Sequence, residues 1–299
     1  MLNSLFRTQG CWLKGNLHMH TTRSDGHLAP DDALELYRKA GYNFAALTDH
    51  WVQSKACVSH GMTVLGGCEW DTGDMVHAPV YHIVGVGMDR EVSLEGPAPF
   101  SPQQIIDAIG KAGGLAVLAH PAWSLTDPEA AARLTGLCGA EVYNTMSGLP
   151  WNGRRADSSL YFDLWGAKGK LFRCMAADDS HSYSGEQTTS FLMVCADGNN
   201  ADAVKRAIRA GDFYASQGPR FRSVRFGDGK VEVECLGAET VVFYSNTVWC
   251  GDRVASGRTG FASYRIKSTD RYVRVELIDA EGRKAWCSPF WANDPPESR

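Results

Sequence analysis

The 299-residue sequence predicts an α/β fold, in which a barrel of strands and crossover helices is followed by a small C-terminal antiparallel β module. Barrels of this kind usually need about 250 residues, so the chain is long enough for one barrel and an appendage. Short apolar runs alternate with helical stretches through most of the chain, which is typical of parallel strands. After Gly218 and Pro219, apolar and polar residues alternate in short strands instead.

The barrel elements follow one another in a regular order. The first strand is predicted at Asn16 to His20, and the first helix begins at Pro30 and ends at Gly41. The run from Phe44 to Thr48 is nearly all apolar, as expected of a strand buried on both faces of a parallel sheet. Further apolar runs predict strands at Thr63–Leu65, Tyr81–Val86, Leu115–Ala119, Ala140–Tyr143 and Phe172–Ala176. Amphipathic stretches predict helices at Pro102–Ala112, Ser158–Ala167 and Ala201–Ala210.

The C-terminal part has a different pattern. Alternating residues predict strands at Val231–Glu234, Thr240–Tyr244 and Tyr272–Ile278. Crossover helices are not predicted between them. We therefore predict a boundary near Arg222, with the barrel at 1–222 and the β module and C-terminal tail at 223–299.

Composition narrows the class of protein. The net charge of −4 and the pI near 6.1 argue against broad, nonspecific attraction to nucleic acid. The nine cysteines form no Cys-x-x-Cys pair, so we expect them to be mostly reduced and buried. The first twelve residues lack the apolar core of a signal peptide, and no stretch approaches the roughly 18 apolar residues of a membrane span. These features predict a cytoplasmic protein.

Two histidines in the first predicted strand suggest a cation site. His18 and His20 are two residues apart, and side chains at that spacing leave the same face of a strand. Both imidazoles can therefore converge on one cation. Taken alone, the pair is equally consistent with two hydrogen-bonded histidines in a polar pocket.

Other histidines and carboxylates lie next to apolar runs, at His50, Glu69, His82, His120, Asp179 and His181, and Asp25 lies in a Ser-Asp-Gly turn. An unpaired polar side chain at the end of a buried strand is costly unless a metal or a hydrogen bond satisfies it. Each position has an ordinary alternative, such as an Asx turn at Asp25 or a surface acid at Glu69. Together they favour a cluster that holds several cations.

The motifs His-x-His-Thr, Thr-Asp-His, Glu, His, His-Pro and Asp-x-His occur in this order and resemble the polymerase and histidinol phosphatase (PHP) family over about Gly15 to Phe221. The resemblance implies a distorted seven-stranded (β/α) barrel of PHP type, with two or three divalent metal ions (Mn, Zn or Fe). It implies a first site at His18, His20, Glu69 and Asp179, a second at Glu69, His82 and His120, and a third completed by Asp25, His50 and His181. Asp25 stands where some relatives have histidine.

Two further segments narrow the resemblance. Glu141 to Asn144 and Ala210 to Pro219 resemble a subgroup that contains carbaryl-hydrolysing enzymes and many uncharacterised members. This likeness does not choose between phosphate and carbamate substrates.

The resemblance and the ligand set predict a metal-dependent phosphoesterase. A hydroxide bridging two metals is expected to attack phosphorus, with Asp179 or His181 assisting proton transfer. Arg23, Arg154 and Arg155 are candidates for binding phosphate oxygens, although solvated loop arginines are the ordinary alternative. The expected partner is a small phosphorylated molecule, with a monoester slightly favoured.

Two alternatives stay open at this point. The same metals could serve a carbamate, ester or amide hydrolase, in which the hydroxide attacks a carbonyl carbon. The chain could also be a metal-binding module without turnover, since ligands alone demonstrate only metal binding. Neither the metal's identity nor the oligomeric state follows from the sequence.

Overall fold

The computed structural model describes residues 2–257 and 260–293, so the predicted tail beyond 293 lies outside the described residues. Five α-helices occur in this part of the chain: α1 Pro30–Lys39, α2 Pro102–Lys111, α3 Pro128–Ala132, α4 Ser159–Ala167 and α5 Ala201–Ala210. The strands are β1 Asn3–Ser4, β2 Cys11–Asn16, β3 Phe44–Leu47, β4 Cys57–Ser59, β5 Met62–Thr72, β6 Tyr81–Val86, β7 Leu115–Leu118, β8 Leu137–Asn144, β9 Cys174–Ala177, β10 Phe191–Ala196, β11 Phe213–Ser216, β12 Arg220–Gly227, β13 Lys230–Leu236, β14 Thr240–Tyr244, β15 Val254–Ser256, β16 Phe261–Arg265, β17 Tyr272–Ile278, β18 Lys284–Trp286 and β19 Phe290–Trp291. Two 3-10 helices, Met146–Gly148 and Pro150–Asn152, follow β8.

Helices α2, α3 and α5 begin at residues whose side chains cap the first turn. Ser101 and Gln104 form a capping box at the start of α2, and the Asn200 side chain accepts a hydrogen bond from the Ala203 backbone N at the start of α5. Pro30 occupies the first turn of α1, where its missing N–H costs nothing. The predicted helices are therefore confirmed to within one or two residues at each end. None of the helices formed by residues 2–257 and 260–293 is both long and apolar enough to cross a membrane.

Most described strands belong to one large sheet, so the predicted mixed α/β class is confirmed. Its order is β15-β14-β17-β18-β11-β10-β2-β3-β5-β6-β7-β8-β9, with β4 and β19 attached at the side. A second sheet of the described residues has the order β1-β12-β13-β16. The seven strands from β2 to β9 along this path are the ones that the sequence predicts for the barrel. A parallel bridge between Met19 and Ser180 joins the segments that follow the first and last of them.

The expectation that the barrel strands are parallel is wrong for β6. This strand pairs antiparallel with both β5 and β7, whereas β2, β3 and β5 are parallel to one another, as are β7, β8 and β9. Residues 73–80 join β5 to β6, which is too short for a crossover helix. Because β6 runs backwards, His82 near its beginning lies at the same edge as the carboxyl ends of the parallel strands.

Two strand boundaries also differ from the prediction. Strand β2 begins at Cys11 and ends at Asn16, because it pairs antiparallel with β10 from Cys11 to Gly15. His18 and His20 lie in the extended segment that follows. The second difference is β5, which continues beyond Leu65, so Glu69 is inside the strand rather than after it.

The C-terminal strands are joined to the rest of the structure. Strand β12 runs through the predicted boundary at Arg222, and β1 pairs with it through Asn3 and Phe226. Strand β18 extends the large sheet by pairing with β11. Trp286 of β18 is fully buried in the same apolar cluster as helices α2, α4 and α5. The division at 222 stays a prediction.

The cysteine prediction is largely confirmed. All nine cysteines are free, and five of them are fully buried. Cys11 and Cys57 are exposed, contrary to the expectation for most of the set. Their strands, β2 and β4, begin at the surface.

Candidate metal centre

The structure brings the nine predicted metal ligands to one edge of the sheet. They lie on or just after strands β2, β3, β5, β6, β7 and β9, except for Asp25, which lies in a turn before α1. Gly26 at this turn packs so closely on the backbone of His20 that a Cβ there would lie 2.3 Å from the carbonyl oxygen. The absence of a side chain at Gly26 lets the turn approach the histidine segment.

Four ligand atoms form the tightest group. His18 Nε2 lies 3.0 Å from Glu69 Oε2 and 3.1 Å from Asp179 Oδ1, and His20 Nε2 lies at the same two distances from these oxygens. The two Nε2 atoms are 3.3 Å apart. Ligands held about 2.0 to 2.1 Å from a tetrahedral zinc lie about 3.3 Å from one another. The group therefore has the size that a transition-metal ion needs.

Glu69 faces two groups of histidines with its two oxygens. While Oε2 faces His18 and His20, Oε1 lies 2.9 Å from His82 Nδ1 and 3.5 Å from His120 Nε2. Asp179 is shared in the same way, since its Oδ2 lies 3.8 Å from His120 Nε2. Both carboxylates thus have the orientation expected of bridges between neighbouring cations.

A third group lies nearer to the surface. Asp25 Oδ2 is 3.4 Å from His181 Nε2 and 3.9 Å from His50 Nε2, and Asp25 Oδ1 is 3.5 Å from His20 Nδ1. The Asp25 side chain is 55% exposed, whereas His18, His20 and Glu69 are almost fully buried. An ion in this group would be the most accessible to solvent.

Two buried atoms of the cluster have no hydrogen-bond partner. They are Asp179 Oδ1 and His50 Nδ1. A buried carboxylate oxygen without a donor costs free energy unless a cation compensates it. Histidine nitrogens and carboxylate oxygens are also the donors that manganese, iron and zinc accept. The residues therefore fit a multinuclear centre of divalent ions.

The electrostatics of these side chains agree with this fit. Burial alone would lower the pKa of His18, but the carboxylates of Asp179, Glu69 and Glu141 raise it well above its ordinary value. Burial likewise opposes ionisation of Glu69, yet His18 and His82 hold the pKa of this carboxyl well below its usual range. A cation bound at His18 Nε2 would take the place of a proton on that ring.

Glu141 contacts several predicted ligands, although the sequence motifs do not include it as a ligand. Its Oε1 lies 2.8 Å from His18 Nδ1, which leaves His18 Nε2 free to face the ligand group. Its Oε2 accepts hydrogen bonds from the His120 backbone N at 2.9 Å and from Asn144 Nδ2 at 2.8 Å. Asn144 also lies 3.2 Å from Asp179 Oδ2. One buried carboxylate thus orients three of the predicted ligands, directly or through Asn144.

Glu186 has a similar role for the loop that follows β9. It is buried and accepts hydrogen bonds from the backbone N atoms of His181, Tyr183 and Ser184, at 3.2, 2.5 and 2.9 Å. These contacts fix the loop that carries His181. The neighbouring Asp178 is not in the ligand groups, and its Oδ2 accepts a hydrogen bond from the Tyr37 hydroxyl at 2.8 Å.

A cavity of about 230 Å³ opens onto the ligands. Its described lining residues are Asp25, His50, Glu69, His82, His120, Trp123, Met146, Ser147, Asn152, Asp179 and His181. Trp123 stands edge-on to His120, with 4.9 Å between ring centroids. Arg23, Arg154 and Arg155 are exposed and are not among the lining residues described for this cavity. Arg155 instead lines an adjacent cleft, and the substrate-binding role of the three arginines stays a prediction.

Comparisons with known proteins bear on the fold. No protein-family model matches the sequence. An uncharacterized protein of Methanocaldococcus jannaschii is 26% identical over 120 residues, which cover 36% of this chain and 68% of that protein. A solved two-domain protein from Bacteroides vulgatus, described as containing a predicted PHP-like metal-dependent phosphoesterase, matches with a TM-score of 0.52 at 16% identity. That match covers 93% of this chain and 95% of the other.

The chain has a PHP-like fold. The resemblance that the sequence motifs predict is therefore confirmed at the level of the fold, while the likeness to the carbaryl-hydrolysing subgroup stays a prediction. The lesion-specific endonuclease EndoQ of Pyrococcus furiosus also matches, with a TM-score of 0.44 and 12% identity over 83% of this chain and 70% of the endonuclease.

Proposed function

We propose that this PHP-like chain is a metal-dependent hydrolase that cleaves phosphate esters of small molecules. The observation that carries the proposal is the group of His18, His20, Glu69 and Asp179, in which each histidine Nε2 lies 3.0 Å from Glu69 Oε2 and 3.1 Å from Asp179 Oδ1. A second set of histidines on the other oxygen of Glu69 supports two ions that share this carboxylate. We also infer that the seven strands from β2 to β9 form the distorted barrel, because Met19 bridges to Ser180.

The residues around the cations would have different roles in the reaction. Bound divalent ions supply Lewis acidity and lower the pKa of water. His181 is our choice for proton transfer, because its Nδ1 lies 2.7 Å from the Asp179 carbonyl and its Nε2 points toward Asp25 at the cavity wall. Asp179 is nearly buried and faces two histidines, which suits a ligand better than a proton carrier.

A carbamate or ester hydrolase is the second candidate. None of the described residues that line the 230 Å³ cavity is a lysine or an arginine. Phosphate oxygens would therefore be neutralised by the cations alone, whereas an uncharged carbonyl group needs no such partner. This feature keeps a neutral substrate in competition with a phosphomonoester.

Metal analysis and a substrate panel test the proposal. Protein purified without chelator is expected to contain at least two transition-metal ions per chain, and one ion or fewer after reconstitution would contradict the multinuclear centre. Phosphomonoesters, phosphodiesters, carboxylesters and aryl carbamates should then be assayed with manganese, zinc or iron. Turnover of a phosphate ester should vanish in His20→Ala and Asp179→Ala. Carbamate or ester turnover alone would select the second candidate, and a metal-loaded but inert protein would indicate a binding module.

A further inference from the structure

A cleft of about 780 Å³ lies beside the metal-ligand cavity. Three connections form its walls, at the edge of the sheet that carries the predicted metal ligands. They are residues 73–80 between β5 and β6, the segment after β7, and the segment after β8. Its described lining residues are Met75, Val76, His77, Ala78, Pro79, Val80, Trp123, Ser124, Leu125, Trp151, Asn152, Gly153 and Arg155. Trp123 and Asn152 line both the cleft and the smaller cavity, so the two spaces share a wall.

Large apolar side chains point into solvent around this cleft. Met75 and Val76 are 85% and 80% exposed, and Leu125 and Trp151 are 66% and 69% exposed. Isolated exposed apolar residues are ordinary, but a group of them around a concave surface marks a binding site. The shared wall with the ligand cavity ties this site to the chemistry next to it.

The wall formed by residues 73–80 is an ordered structure. Asp74 accepts hydrogen bonds from the backbone N atoms of Val76, His77 and Ala78, at 3.0, 2.6 and 3.0 Å. The hydrogen bond from the His77 backbone, followed by those from the His77 side chain and the other two backbone N atoms, lowers the pKa of Asp74 to about 2. The turn therefore presents Met75 and Val76 to solvent in a fixed conformation.

Two of the exposed residues have a strained backbone. Met75 and Leu125 have φ angles of 61° and 52°, in the left-handed region that side chains other than glycine rarely adopt. Strain of this kind concentrates at functional sites, where the surrounding structure maintains it. On the third wall, the Arg155 backbone N donates to the Ser147 carbonyl at 2.8 Å, which ties the cleft to a residue of the cavity.

The volumes of the metal-ligand cavity and the cleft indicate different roles. Pockets that enclose a whole small-molecule ligand usually measure about 300 to 1,000 Å³. The 230 Å³ cavity at the metal ligands is below that range and has room for the reacting group, whereas the 780 Å³ cleft lies within it. A larger substituent on the reacting group would extend past Trp123 and Asn152 into the cleft.

We propose that the cleft between Met75, Leu125 and Trp151 binds an aromatic group of the substrate, whose ester group lies at the metal ligands. The substrate class is thus an ester of an aromatic alcohol. This proposal rests on the proposed hydrolase function and deepens it. The indole rings of Trp123 and Trp151 offer flat apolar surfaces that suit a planar ring. The Arg155 guanidinium at the same cleft can stack on such a ring or bind a polar substituent.

A pair of substrates and a pair of tryptophan variants test this proposal. The metal-loaded protein is assayed with 1-naphthyl phosphate and methyl phosphate, and binding of 1-naphthylphosphonate and methylphosphonate is measured by calorimetry. We compare Trp151→Ala with Trp249→Ala, since Trp249 is 85% exposed but is not a lining residue of the cleft. Met75→Asp tests the opposite wall.

In the unmodified chain, the naphthyl compounds should bind at least about tenfold more tightly than the methyl compounds, as an apolar pocket discriminates by about 10- to 200-fold for small apolar differences. Trp151→Ala and Met75→Asp should weaken only the naphthyl compounds, by about tenfold, while Trp249→Ala leaves all four unchanged. Equal affinity for naphthyl and methyl compounds would overturn the cleft proposal, as would equal effects of the two tryptophan variants.

The two proposals fail in different ways. Turnover of both phosphates without a preference for the naphthyl compound would support the phosphoesterase function and contradict the binding of an aromatic group in the cleft. Trp151-dependent binding of naphthylphosphonate without any phosphatase activity would keep the cleft and reject phosphate ester cleavage. A dimer in sedimentation equilibrium that Trp151→Ala dissociates, with no naphthyl preference, would assign the cleft to a second copy of the chain and reject the proposal.

Discussion

Two buried charged clusters in this protein differ in how their negative charges are compensated. At the carboxyl ends of the strands, histidines and carboxylates face one another, and Asp179 Oδ1 and His50 Nδ1 have no hydrogen-bond partner. Between α4 and β17, the buried Arg274 guanidinium binds Asp163 through Nε at 2.8 Å and Nη2 at 2.5 Å, and Glu276 through Nη1. The Tyr244 ring lies 3.9 Å from Arg274.

The difference between them is the number of fixed positive charges. Arg274 carries its own permanent charge and a fork of donors, so its cluster is compensated by the chain itself. The histidine cluster has two facing carboxylates, and its rings can act as ligands only when they are neutral. The first cluster thus carries its own compensating charge, although Glu276 Oε2 has no hydrogen-bond partner and lies 3.6 Å from Lys284 Nζ. The second has the donor set of a site that cations would complete.

Glu69→Gln should have the largest effect. The amide keeps the shape but provides one acceptor oxygen where the carboxylate provides two, so the shared bridge is lost. We expect metal content to fall to one ion or fewer and turnover to fall by more than about 1,000-fold, beyond the 10- to 100-fold typical of residues that only orient ligands. Elemental analysis and kinetic assays measure both. Glu129→Gln, at the surface, is the control; two ions retained in Glu69→Gln would contradict the bridging role.

Arg274→Met should destabilise the fold without changing metal content. Removing one partner of a buried pair leaves Glu276 buried with only Lys284 Nζ, 3.6 Å away, as a positive partner, at a cost of about 3 kcal/mol. Urea unfolding of the metal-loaded protein measures the loss. The matched control is Arg133→Met, whose exposed pair with Glu129 should contribute less than about 0.5 kcal/mol. Loss of bound metal in the folded Arg274→Met variant would show that the two clusters are not independent.

Glu141→Gln should weaken metal binding by about 10- to 100-fold, because the histidine at position 18 loses the carboxylate that orients its ring. Chelator competition measures the affinity, and thermal unfolding of the metal-free protein is the companion measurement. A role in positioning predicts weaker metal binding at nearly unchanged stability of the metal-free form. Equal metal affinity in Glu141→Gln and the unmodified chain would contradict the positioning role of Glu141.

The smallest effect is a pH dependence next to the Arg274 cluster. Burial would raise the pKa of Asp157, but Lys284 at 2.8 Å holds it below its ordinary value of 3.8. A lowered carboxyl pKa stabilises the fold above the unfolded-state pKa, and this contribution is lost as the pH falls through the folded-state pKa. Lys284→Met should therefore be less stable than the unmodified chain at pH 7, by less than about 1 kcal/mol. In urea unfolding, the difference in free energy of unfolding between Lys284→Met and the unmodified chain should narrow between about pH 5 and 3. A difference that stays constant over this range would show that the ionisation of Asp157 is not linked to stability through Lys284.

Much of this arrangement could be predicted from the sequence, for a physical reason. Apolar runs such as Phe44 to Leu47 are buried on both faces, so their polar neighbours, such as His50, fall at strand ends. Where strand ends meet, residues distant in sequence come together. This reasoning located the region of the candidate centre, although the role of each ligand stays a prediction.

The direction of β6, the contacts of Glu141 and Glu186, and the apolar cleft depend on tertiary contacts that no local sequence pattern encodes. The reversal of β6 follows from the short connection before it, residues 73–80, and the alternation of strands and helices gives no sign of it. Glu141 contacts His18, a partner far away in the chain, and Glu186 acts on backbone atoms. A signal for Glu141 did exist, because an ionisable residue inside the apolar strand β8 needs a partner. The apolar cleft is formed by three loops whose conformations no spacing rule predicts.

The antiparallel pairing of β2 with β10 has a consequence for how the chain matures. Gly15 has Leu192 as its partner, so the strand that leads into His18 and His20 is flanked on one side by residues that leave the ribosome much later. Closing so long a loop is entropically costly and slow. Until β10 has been made, β2 has an unpaired edge, and the segment with His18 and His20 lacks the support of its complete sheet. We therefore expect metal capture to be late in biosynthesis, and a nascent chain that stops before β10 should retain no tightly bound ion.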